Sequence, residues 1–132
     1  MVFIFHWEIN DFITQFNKPY ARLLSGKFYA FDYLLQLEII IENERLRFGG
    51  IIWKGDFDDG LPWPFKKFMV LSIHNLTSQM PLWNFNITPN LYEHDNNIWI
   101  QPTKQCNDSF MVNVPIYDWQ PNNQITVRLL IN

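Results

Sequence analysis

Residues 55–65, GDFDDGLPWPF, place two prolines around one tryptophan directly after an acidic, glycine-flanked turn. Pro62 and Pro64 each fix φ at about −65° and lack a backbone N–H, so the stretch can continue neither a strand ladder nor a helix. It reads as a stiff connector that holds Leu61, Trp63 and Phe65 in fixed directions. Three large apolar groups held in this way are suited to plugging the open end of a β core. Trp63 is then expected to be buried there rather than offered to a ligand.

On both sides of the connector the sequence alternates and does not follow a helical period. Phe3, Phe5, Trp7 and Ile9 share one face of a strand, with Ile4, His6 and Glu8 on the other. Over 33–42, Leu35, Leu37, Ile39 and Ile41 alternate with Gln36, Glu38 and Glu42. Over 125–131, Ile125, Val127, Leu129 and Ile131 alternate with Thr126 and Arg128. Each reads as a half-buried strand of the antiparallel type. Further strands are predicted near 23–29, 45–54, 67–74, 97–101 and 109–114. Glu42-Asn43-Glu44 reads as a tight hairpin, and Pro121 with Asn122-Asn123 as the turn before the last strand. The Asn-rich stretch from 76 to 97 reads as a long irregular connection fastened by Trp83, Phe85, Ile87 and Leu91. One helical turn is expected around 116–120, and no long helix. Eight short strands in 132 residues imply a two-sheet sandwich or a barrel, as a single domain over 1–132.

Composition narrows the function classes. Aromatic residues make up 17% and charged residues also 17%, which excludes a disordered chain or a coiled coil. The net charge is −3, and the basic residues closest together are Lys66-Lys67 and the spaced Arg45 and Arg47, so nucleic-acid binding is not expected. Cys106 is the only cysteine; no intramolecular disulfide can form, which favours a reducing, cytoplasmic setting. The N-x-S/T matches at Asn75, Asn86 and Asn107 would go unused there. No apolar run reaches the roughly 18 residues of a membrane span, and the apolar start of the chain stops at His6 without the features of a signal peptide.

Signs of catalysis are thin. His6, His74 and His94 fall in no metal-ligand spacing, and no glycine-rich phosphate loop exists. Asp56, Asp58 and Asp59 lack the later glutamate of a calcium loop and read instead as acceptors for backbone N–H groups of the turn. Cys106 has no basic partner to activate it and reads as a small apolar filler. No metal or cofactor is expected, and no enzymatic activity.

Three blocks resemble one family. LPWPF after an acidic turn is similar to the connector following the fourth strand in the C-terminal domain of TNF-receptor-associated factors (TRAF), a branch of the MATH fold. FHWEINDF at 5–12, with Trp7, is similar to the opening strand of that domain, and SGKFYAFDYLLQLEI at 25–39 to its second and third strands. Weaker landmarks are Pro102, the VPI of 114–116 and ITVRLLI at 125–131, so the resemblance covers nearly the whole chain. It implies an all-β, eight-stranded antiparallel β-sandwich that takes a linear peptide of a receptor or adaptor along one sheet edge in intracellular signalling. It also implies a homotrimer if a coiled coil lies upstream. Two alternatives stand beside this: a substrate-recruiting MATH module of the ubiquitin system, and a structural oligomerisation domain that binds no peptide.

The resemblance marks a peptide site at Glu38, Ile40, Gly49, Trp99, Ser109 and Phe110, and there the chain departs from its apparent relatives. Glu38 and Ile40 stand where receptor-binding members present an Arg and then a Tyr. Gly49 and Gly50 replace an aromatic pair, Asn96, Asn97 and Ile98 a serine cluster, and Trp99 a Phe, while Asp108-Ser109-Phe110 shortens a Ser-Gly-Cys segment. Glu38, on the solvent-facing phase of its strand, is expected to favour a Lys, an Arg or a neutral polar residue in the ligand. Gly49 and Gly50 mark either a pocket for a large ligand residue or a bulge. Trp99 and Phe110 are the expected aromatic contacts.

Overall fold

A strand whose apolar residues recur every second position buries one face only, and two sheets can close a core between such faces. The computed structural model describes residues 1–43, 45–63, 65–75, 83–87, 108–114 and 123–132. Its strands are β1 (Phe3–Ile9), β2 (Tyr20–Leu24), β3 (Phe28–Ala30), β4 (Tyr33–Glu42), β5 (Arg45–Trp53), β6 (Met69–Asn75), β7 (Trp83–Ile87), β8 (Asp108–Val114) and β9 (Ile125–Ile131). Every pairing is antiparallel. One sheet runs β1-β9-β6-β7; the other runs β2-β4-β5-β8, with β3 also on β4. The molecule is an antiparallel β-sandwich. Leu35, Leu37, Ile39, Ile41, Phe48 and Ile52 from one sheet meet Leu71, Ile73, Val127, Leu129 and Ile131 from the other, all buried. At one end Phe28 of β3 stacks on Phe5 of β1 with ring centroids 3.9 Å apart, tying the two sheets together.

Several boundaries differ from those read in the sequence. The strand expected over 23–29 is two strands, because the chain breaks its ladder at Ser25. The Ser25 Oγ accepts from the Leu37 N–H at 2.9 Å, and the Gln36 side chain donates to the Ser25 carbonyl at 2.7 Å. The supposed irregular connection contains β7, which pairs with β6 from Met69↔Ile87 to Ile73↔Trp83. A short helix, α1 (Phe12–Phe16), follows β1 with no side-chain cap, held by the buried Phe12 and by the Phe12 N–H donating to the Asn123 carbonyl at 2.8 Å. β3 and β4 are joined by Phe31-Asp32, with φ of 49° and 69°. Positive φ at both central residues is what a two-residue hairpin turn needs, but for a bulky Phe it is strained. Phe31 offsets this by packing on the core beneath the Lys67 ammonium, 4.3 Å from its ring centroid. The strand expected over 97–101, the helical turn around 116–120, Pro64, Pro102 and Cys106 lie outside the described residues.

The connector plugs the core, with its rings in unexpected roles. Phe65 is fully buried and meets the Tyr33 ring edge-on at 4.8 Å. Trp63, expected to be buried, is only half-buried: it covers Tyr33 edge-on at 5.2 Å and donates its indole N–H to the Asp58 carbonyl at 2.8 Å. An indole that must keep its N–H bonded sits more comfortably at the rim than in the centre. Leu61 is half-buried beside it, and Pro62 is exposed, its carbonyl accepting from the Tyr33 hydroxyl at 2.6 Å. Burial, and secondarily the Asp58 carboxylate, hold the Tyr33 phenol above its ordinary range. Asp58 closes the preceding turn by accepting the Gly55 N–H at 3.0 Å, the role its position in the acidic triplet suggests.

Candidate functional site

Among the described residues β8 pairs only with β5, so one side of it has no strand partner among them. The ladder fixes which residues share the outward face of that sheet. One row reads Leu24, Glu38, Gly49, Met111; the next reads Arg22, Ile40, Arg47, Asn113; on the other side lies Gln36, Ile51, Ser109. The register thus brings together Glu38, Ile40, Gly49 and Ser109, four of the residues singled out in the sequence. Phe110 stands opposite Gly50, out of register phase with these positions. Trp99 lies outside the described residues.

Glu38 is not the solvent-facing carboxylate expected. Alternation does put it opposite in phase to Leu37 and Ile39, but it is only 6% exposed. Its Oε2 accepts from both Nε (3.1 Å) and Nη2 (2.7 Å) of Arg22, which reaches across from β2. The Arg22 side chain remains 49% exposed. A carboxylate so neutralised offers a ligand little free negative charge, and the charge nearest the surface at this point is the guanidinium. The premise for a basic ligand residue opposite Glu38 therefore falls.

The rest of the face is similarly closed in the middle and open at one end. Ile51 is 2% exposed although it lies outside the core between the sheets, and Gln36 is tied down by its bond to Ser25 and by the Trp53 indole N–H donating to its Oε1 at 3.0 Å. Gly49 is buried between Glu38 and Met111; the backbone there stays in the ladder, with no bulge. At the β4–β5 hairpin end, by contrast, a depression of about 580 Å³ is lined by Glu42, Asn43, Arg45, Arg47 and Asn113. Arg47 lies 3.7 Å from the Glu42 carboxylate, both half in solvent, a pair worth well under about 1 kcal/mol. No ion pair to Arg45 forms among the described residues. In the sequence Arg45 and Arg47 stand out only as a weak basic pair; that Arg47 lies opposite Asn113 of β8 is a consequence of register.

No helix among the described residues is long and apolar enough to cross a membrane, and no group of three or more His, Cys, Asp or Glu residues among them is placed to hold a metal. No protein-family model matches the chain, and no curated protein matches it. Among solved structures, a chain of Notothenia coriiceps TRAF5 is similar with a TM-score of 0.71 and 20% sequence identity, over 98% of this chain and 72% of that one. The strand order, the half-buried Trp63 and the fully buried Phe65 thus belong to a molecule with the fold of a TRAF-type β-sandwich.

Proposed function

We propose that this chain is a protein-interaction domain that takes an extended peptide along the free side of β8, as an added strand. The observation that carries the reading is the side of β8 left unpaired among the described residues, lying beside an outward face with a side-chain-free step at Gly49 and a depression lined by Glu42, Arg45 and Arg47 at its end. Neighbouring strands lie about 4.8 Å apart, so a peptide on β8 runs about 10 Å from β5, within reach of an Arg47 or Arg45 side chain meeting an acidic ligand residue. Backbone bonds to β8 supply affinity; Asn113, Met111 and the arginines supply selection. A role as a signalling adaptor for a receptor or adaptor tail rests on the sequence blocks resembling the TRAF family and on the shared fold. Nothing in this role asks the domain to carry out chemistry.

The test is selection from a random peptide library displayed on phage, with the wild-type domain and an Arg45→Glu/Arg47→Glu variant. The expected result is a set of peptides with Asp or Glu at one fixed position, replaced by Lys or Arg in the selection with the variant. Failure to enrich any peptide contradicts the reading.

A further inference from the structure

The outward face of the β1-β9-β6-β7 sheet carries an apolar corner. The ladder sets Ile4 of β1, Leu130 of β9 and Val70 of β6 in one row. Val2 and Phe68 extend the corner by one row, level with Asn132, whose N–H donates to the Phe68 carbonyl at 3.0 Å. Val2, Ile4 and Phe68 are 52%, 48% and 39% exposed, and Leu130 and Val70 are half-buried. In the other direction along the strands stand Arg128 of β9 and then, one strand over, Glu8 of β1. Among the described residues neither forms an ion pair.

Contiguous exposed apolar side chains on one sheet face mark a contact surface. The register says what fits it. Apolar residues of β1 and β6 flank Leu130 on either side, so a two-fold axis nearly parallel to β9 stacks Ile4 on the partner's Val70, Val2 on the partner's Phe68 and Leu130 on the partner's Leu130. The fixed charges are self-complementary too. That axis brings the partner's Glu8 to one strand and one row from Arg128, about 8 Å along the sheet and within reach of an extended arginine side chain. The two Arg128 side chains then approach across the axis with a Glu8 on each side, a cluster of no net charge. A face bearing one cation and one anion finds a counter-charge for both in a copy of itself, whereas a ligand of single sign satisfies one and repels the other.

We infer that two copies of this chain associate face to face through the outward surface of β1, β9 and β6. The rows from Val2 to Glu8 on three strands span about 14 by 27 Å, roughly 400 Å² in projection. A standard interface covers about 800 Å² per partner, so the dimer is weak, with a Kd of about 100 µM. The surface lies on the other sheet from β8 and does not depend on the peptide reading.

Sedimentation velocity on the wild-type protein from about 10 µM to about 1 mM should show a reversible monomer–dimer equilibrium. Ile4→Ser should weaken it about fivefold or more. Glu8→Arg and Arg128→Glu, each alone, should weaken it about tenfold, because like charges then meet across the axis. An equimolar mixture of those two variants should recover the wild-type affinity, since every charge pair between the unlike copies is of opposite sign. In the wild-type protein the NMR methyl signals of Ile4, Val70 and Leu130 should move on dilution over the same range while the amides of β2 and β8 stay in place, a readout that needs no variant to fold. A monomer at the highest concentration, a trimer, unmoved methyl signals, or folded variants whose mixture associates no better than either alone would each overturn the inference. New amide protection along β1 with the Val70 methyls unmoved would overturn it in favour of edge-to-edge pairing of β1.

Discussion

Replacing Arg22 by alanine strips the only cation paired with Glu38 among the described residues and leaves a carboxylate whose side chain is 8% exposed. Removing one partner of a fully buried pair costs about 3–5 kcal/mol, whereas an exposed pair is worth about 0–1 kcal/mol. Here the anion is buried and the cation is half in water, so solvent can enter the vacated space but cannot fully hydrate Oε2. We expect about 2 kcal/mol, a fall in Tm of about 6–10 °C for a domain of this size. Urea melts of wild type, Arg22→Ala and Arg22→Ala/Glu38→Gln, compared at a common slope, measure it. The double variant should regain much of the loss, since an amide is cheaper to bury than an unpaired carboxylate. A single-variant loss below about 0.5 kcal/mol, or a double variant no better than the single, would show that Glu38 is solvated and that the face keeps its negative charge.

Phe65→Ala should cost about 3–5 kcal/mol by opening a cavity under Tyr33, and Trp63→Ala only about 2 kcal/mol, from one hydrogen bond, one edge-on ring contact and partial burial. Denaturant melts that reverse this order would refute the division of labour in the plug. Gly55→Ala should cost about 1–3 kcal/mol, because a Cβ there comes within 3.1 Å of both Leu34 Cβ and Tyr29 Cε1; an unchanged melting curve would mean those groups move aside freely. His74 titrates below its ordinary value in the folded state, so the unfolded chain takes up a proton first as pH falls through about 6.5 and stability declines from there. His74→Gln should remove that part of the loss between about pH 7.5 and about pH 5.5, and an identical pH profile in the variant would refute the assignment.

Strand alternation made most of the sandwich legible, since the faces of β1, β4 and β9 follow from a period of two. What alternation cannot report is whether the polar face meets solvent. Glu38 and Ile51 both sit on the outward face and both are buried, a fact that depends on what reaches across from neighbouring strands. α1 escaped notice because Phe12, Ile13 and Thr14 are poor helix formers held by tertiary packing and one backbone bond to Asn123. β7 was hidden in an Asn-rich stretch whose pairing with β6 overrides its composition, and the Phe31-Asp32 turn lacks the glycine that usually marks positive φ. At the site, residue identities were legible but their grouping was not: only the ladder shows that Arg47 stands between Ile40 and Asn113.

The claim that β8 accepts a ligand strand is tested most directly by amide hydrogen exchange on the domain with and without the tightest peptide from the phage selection. Strand addition predicts that the alternate amides of β8 pointing away from β5 gain protection of about tenfold or more, with β1 and β2 unchanged. Protection confined to the β1 or β2 edge, or bound peptide with no change on β8, would contradict the account.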